Sequence, residues 1–128
     1  MSELIFHIAS RDAWNAAQKA GQYTAPSLTS DGFIHCSTRA QVLPVAEKFY
    51  RGQTGLVILV VDLTRLSSGL KWEAPFDGAA PSGALVNETF PHIYGPINLD
   101  AVVQVLDLES SVDGKFILPK SLLSGKLT

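Results

Sequence analysis

The sequence is poor in cysteine, in charge and in long apolar runs, and each shortage closes off a class of protein. A single cysteine, Cys36, rules out an intramolecular disulfide and suits a reducing compartment, so the cytoplasm is the expected location. Charged residues make up 17% of the chain, and 10 Lys and Arg against 12 Asp and Glu leave a formal net charge of -2. With no positive excess, a dedicated nucleic-acid or anionic-membrane surface is not expected. The longest unbroken apolar run, Leu56 to Val61, is closed by Asp62, far short of the roughly twenty residues that a membrane helix requires. Met1-Ser2-Glu3-Leu4 carries no basic region and no small-residue cleavage site, so no targeting signal is expected. Also missing are a Walker loop, a dinucleotide-binding glycine fingerprint, paired cysteines and a His-Glu-x-x-His pair. These absences exclude a P-loop or Rossmann reading and leave no expected metal site.

What is present is enough for one domain over residues 1–128: 46% of the chain is hydrophobic, too much for a disordered segment. Leu4 to Ile8 is expected to be a strand covered on both sides, with Leu4, Phe6 and Ile8 on one face and Ile5 and His7 on the other. Ser10 caps a short helix whose Ala13, Ala16, Ala17 and Ala20 recur at helical spacing until Gly21. Thr24 to Ser30 has the composition of a loop, and Asp31-Gly32 turns the chain into a short strand, Phe33 to Cys36. Ser37 or Thr38 caps a second helix, Gln41 completing a capping box with Thr38, and Pro44 either kinks that helix or marks where it begins. Leu56 to Leu63 is expected to be the central strand, and Leu70 to Ala74 another. Pro75 to Gly83 has no periodicity and is expected to be an exposed, mobile loop; Phe90 to Pro96, with two prolines, is expected to be a stiff irregular segment. Ala101 to Leu108 and Phe116 to Leu118 complete the strands.

The chemistry rests on the three histidines, His7, His35 and His92, each set among apolar neighbours. Imidazole titrates near neutral pH and both its nitrogens hydrogen-bond, so a polar site inside core-like segments is one explanation. The other is that each ring is a core histidine satisfied by backbone groups. Trp72 offers a flat stacking surface and Glu73 an acceptor or base, although neighbours on a strand face opposite ways and either residue also fits a purely structural role. His92 and Tyr94, two residues apart, aim the same way if their segment is extended. Cys36 reads best as a buried structural thiol.

Four blocks carry a resemblance to a known family: Ile5-Phe6-His7-Ile8, Asp31-Gly32-Phe33-Ile34-His35-Cys36-Ser37, Leu70-Lys71-Trp72-Glu73 and Phe90-Pro91-His92-Ile93-Tyr94-Gly95-Pro96-Ile97. Together they make nearly the whole chain resemble the family filed as domain of unknown function 952 (DUF952), small single-domain bacterial proteins. That family is similar in fold to the ADP-ribosyltransferase superfamily. The resemblance therefore implies an α+β fold of two small, mostly antiparallel sheets around a cleft, with two short helices. It further implies a nucleotide-like small-molecule ligand, with NAD as the cofactor or substrate, and transfer or hydrolysis at the nicotinamide ribose. By the same resemblance His7 would hold that ribose, Tyr94 or Trp72 would stack on the nicotinamide, and Glu73 would steady the positive charge built up as the leaving group departs. Taken with the reading of the histidines, His7, Glu73 and His92 are the expected catalytic residues, and His35, Ser37, Trp72 and Tyr94 the expected ligand-binding ones. A non-catalytic module that binds a metabolite or peptide in the same cleft is the alternative, and a structural or dimerising protein a third; no oligomeric state is implied.

Overall fold

Strand β4 (Leu56–Asp62) is buried along its whole length, as an unbroken β-branched and aliphatic stretch must be when both its faces are covered. In the computed structural model, which describes residues 3–74, 89–111, 113 and 115–123, this strand is the spine. The loop expected over Pro75 to Gly83 lies outside the described residues. Strand β1 (Leu4–Ser10) runs antiparallel along one side of β4, from Leu4 opposite Asp62 to Ser10 opposite Leu56. Along the other side lies β8 (Val102–Ser110), with the short β9 (Phe116–Ile117) beyond it, giving the order β1-β4-β8-β9.

Strand alternation divides this sheet's side chains between two cores. Phe6, Ile8, Leu56, Ile58 and Val60 face a layer made by helix α3 (Val42–Phe49) through Val42 and Ala46, by Phe116, and by Leu122 of helix α4 (Lys120–Leu123). Ile5, Ala9, Val57, Leu59 and Val61 face the opposite layer, where helix α1 (Arg11–Ala20) contributes Ala17. Two smaller sheets complete that second layer. One pairs β2 (Gln22–Tyr23) with β7 (Ile97–Asn98); the other has the order β3-β6-β5, made of Ile34–His35, Phe90–Tyr94 and Gly69–Glu73. Tyr23, Ile34, Ile93 and Ile97 are their core residues.

Local sequence signals account for most element ends. Ser10 Oγ accepts from Ala13 N–H at 3.0 Å at the start of α1, and Gly21 closes the helix in the left-handed region, φ 90°, with its N–H on the Ala17 carbonyl. Thr38 forms the expected capping box with Gln41, but it opens a 3₁₀ turn, Arg39–Gln41, and α3 follows from Val42. Pro44 then falls in the first turn of α3, where a backbone N–H has no helical partner to lose, so the proline causes no kink.

Two expectations are corrected. The Thr24 to Ser30 stretch is not all loop: Pro26 occupies the start of a short helix, α2 (Pro26–Ser30), where its fixed φ already suits the first helical position. The Phe90 to Pro96 stretch is mostly a regular strand, the centre of its sheet. Pro91 is tolerated there because an antiparallel residue directs its N–H and C=O to the same side. Its carbonyl accepts from Cys36 N–H at 3.0 Å, just past the last residue paired on β3, so the missing N–H falls where the ladder ends. Gly95 is held by contact: an added Cβ would lie 2.5 Å from Ser68 Oγ, which itself donates to the Pro96 carbonyl. The protein is thus mixed α and β with antiparallel sheets and short helices, and the described residues form three sheets and four α-helices where two of each were expected.

Leu59→Ala in β4 is expected to lower the free energy of unfolding by about 2–5 kcal/mol, since Leu59 is fully buried between β1 and β8. Val103 is 44% exposed at the bulge where β8 slips against β4, and Val103→Ala is expected to change stability by under ~1 kcal/mol. Urea unfolding of both variants checks the contrast.

Candidate functional site

The two layers are stitched together beside β1. Phe6 N–H donates to the Ser37 carbonyl at 2.8 Å and Ser37 N–H to the Phe6 carbonyl at 2.7 Å, a single bridge that ties the chain just after β3 to the large sheet. The next residue along β1 is His7, whose side chain points to the face shared with Ile5 and Ala9. Its Nδ1 lies 2.6 Å from the His35 carbonyl and its Nε2 2.8 Å from the Tyr23 hydroxyl. Burial pushes the imidazole down to about 4, so the ring is neutral at pH 7. A carbonyl only accepts, hence Nδ1 carries the proton, Nε2 is the acceptor, and Tyr23 donates its O–H to it. Burial in turn raises the Tyr23 phenol above its ordinary range.

The second group of polar residues lies on one face of the β3-β6-β5 sheet. His35 stands opposite His92 in register, with Lys71 opposite His92 from the other side. Their imidazoles meet edge to face at 5.4 Å between centroids, and the Phe33 ring stacks on His92 at 4.1 Å. Glu73 Oε1 accepts from both the Tyr94 hydroxyl, at 2.6 Å, and His92 Nδ1, at 2.8 Å. Those bonds, Tyr94 first, hold the Glu73 carboxyl below the usual range and keep it ionised. His92 is shifted down, because loss of hydration outweighs the support of Glu73. At His35 the carboxylate partner is Asp31, whose Oδ2 lies 2.9 Å from Nε2. Cys36 is buried and its thiol pushed up by that burial, as suits a structural residue.

A cavity of about 620 Å³ opens between the layers, and His7, His35, Ser37 and His92 all line it. The three imidazoles, far apart in sequence, therefore share one hollow. The other expected site residues do not line it. Glu73 and Tyr94 stand behind His92, joined to it through the shared carboxylate oxygen. Trp72 is on the opposite face of β5 from Glu73 and is 42% exposed, because strand neighbours alternate. The aromatic residues along the wall are instead Tyr23, Phe49, Tyr50 and Phe90, with Asp31 at one side. Of these, only Asp31 and Phe90 carried a sequence signal, as members of the blocks that bear the family resemblance. Tyr23 sits in a two-residue strand and had none. Among the described residues no cluster of His, Cys, Asp or Glu is placed to hold a metal ion, and no helix is long and apolar enough to cross a membrane.

His7 makes stability depend on pH. In the unfolded chain the ring takes a proton near its ordinary 6.5, in the folded chain only near 4, so between these values acid favours the unfolded state. Stability is expected to fall by roughly 3 kcal/mol from this residue as pH drops through that window. Urea unfolding at pH 7 and pH 4 of the wild type and of His7→Gln checks it: the variant's loss on acidification should be smaller by about that amount, and equal losses would refute the assignment.

Comparison with known proteins shows one family and a set of similar solved structures. The model of a protein of unknown function, DUF952, matches residues 8–105. The crystal structure of protein CC0527 from Caulobacter crescentus is 36% identical, with a TM-score of 0.79, over 94% of this chain and 99% of that one. The solution NMR structure of CC0527 is 37% identical with a TM-score of 0.68, over 88% and 90% of the two chains. No curated protein matches the chain.

Proposed function

We propose, for a chain that belongs to the DUF952 family, that the cavity binds the nicotinamide-nucleoside end of an NAD-type nucleotide, as the cleft of an ADP-ribosyltransferase-like protein would. The observation that carries this reading is the convergence of His7, His35 and His92 on one cavity of about 620 Å³ whose wall also holds Phe49, Tyr50 and Phe90. Flat apolar rings suit a heterocycle, and hydroxyl and imidazole groups suit a ribose.

The same geometry supports chemistry at that ribose. When nicotinamide departs with the electron pair of the C–N bond, the sugar carbon gathers positive charge and an incoming hydroxyl must lose its proton. His92 is the proton acceptor in this scheme: Glu73 holds Nδ1–H, which leaves Nε2 for the ligand side. Glu73 is then a positioning residue. The absence of Glu73 from the cavity wall favours a second reading, binding without turnover, because no carboxylate other than Asp31 is there to meet the developing charge among the described residues.

Calorimetry and amide chemical shifts with NAD at millimolar concentration test the binding; neither heat nor shifts at the cavity residues would overturn it. Nicotinamide release separates the two readings. If His92 accepts the proton, Glu73→Gln should cut release by about 100-fold and leave NAD affinity within roughly two-fold. Binding with no release by the wild type selects the second reading.

A further inference from the structure

Beside the hydroxyls of Ser27, Ser37 and Tyr50 and the amide of Gln53, the cavity wall holds groups that are not interchangeable hydrogen-bonding partners, because protein contacts fix where the protons of His7, Tyr23 and His92 lie. The His35 carbonyl holds the His7 proton on Nδ1, so the Tyr23 O–H is spent on His7 Nε2, at 2.6 and 2.8 Å respectively. A phenol has one proton. With that proton committed, Tyr23 turns only lone pairs toward the cavity it lines. His92 is fixed in the same sense: Nδ1–H faces the ionised Glu73 at 2.8 Å, and Nε2 of the neutral ring is an acceptor. Asp31, a third acceptor, also lines the cavity, and among its described lining residues there is no lysine or arginine.

Resting on the reading that this cavity is the ligand site, we infer that it selects hydrogen-bond donors without negative charge, and that Tyr23 is a specificity-determining residue. The matching chemistry is a sugar diol, a primary carboxamide or a cationic heterocycle. A phosphate or carboxylate would set its lone pairs against those of Tyr23, His92 and Asp31, with no lysine or arginine among the described lining residues to offset the repulsion. Within an NAD-type nucleotide this assigns the nicotinamide and its ribose to the cavity and leaves the pyrophosphate outside it. His7, which holds no proton for a ligand, acts through Tyr23 as a positioning residue.

Two matched pairs of probes test this on the wild-type protein by calorimetry and amide shifts. Nicotinamide and nicotinate differ by a donor amide against a carboxylate; adenosine and AMP differ by a phosphate. The neutral member of each pair is expected to bind at least about ten-fold more tightly, and Tyr23→Phe is expected to shrink that ratio, a readout that a mere loss of stability would not move. Nicotinate or AMP binding as well as its neutral partner would overturn the inference. Adenosine bound over AMP with no binding of nicotinamide or NAD would sink the nicotinamide reading and uphold the donor selectivity. No binding of any probe would overturn both.

Discussion

The bridge between Phe6 and Ser37 is the constraint on which the candidate site depends. Without that pair of backbone hydrogen bonds, the sheet holding His35 and His92 would lose its main-chain tie to the sheet holding His7, and apolar packing is not directional enough to replace it. With it, the His35 carbonyl is brought within 2.6 Å of His7 Nδ1, and a ring on one sheet sets its tautomer from the backbone of the other. The cavity lies beside this seam, with Ser37 itself in its lining, and its polar wall is drawn from residues on both sides of the bridge.

The electrostatics of that wall follow from a consistent device: each imidazole has one nitrogen bound to a fixed acceptor. A carbonyl serves His7, the Glu73 carboxylate serves His92 and the Asp31 carboxylate serves His35. A backbone carbonyl cannot move far or change charge, and so His7 is the most rigidly set of the three. Buried polar groups arranged this way cost little, since both His7 nitrogens and the Tyr23 hydroxyl are satisfied within the fold. His7 is in this respect both things the sequence allowed, a satisfied core histidine and part of a polar cavity wall.

Much of the scaffold was legible because its signals are local. The apolar run at β4, the alternation along β1, the Ser10 cap with Gly21 and the Thr38 capping box each declare themselves within a few residues. The convergence of the histidines was legible only as a question, since residue types suggest a site but spacing cannot place strands in contact. Tyr23, Asp31 and Phe90 were missed for the same reason: what makes each matter is a partner or a wall many positions away. Proline misled twice, at Pro26 and Pro91, because its effect depends on whether its N–H was needed, and pairing partners decide that. Trp72 and Tyr94 attracted attention as stackable rings, yet pleat direction and the hold of Glu73 keep both away from the hollow.

The seam also ties the site to the order in which the chain can fold. β1 must wait for β4, some fifty residues on, and β4 for β8, so nearly every pairing in the large sheet closes a long loop before it gains contacts. The segments that carry His7, Tyr23, His35 and His92 come from four such separated stretches. No fragment of the polypeptide can therefore assemble the hollow ahead of the rest, and whatever occupies it draws on the cooperativity of the entire domain: an occupant resists global denaturation, not the fraying of one element.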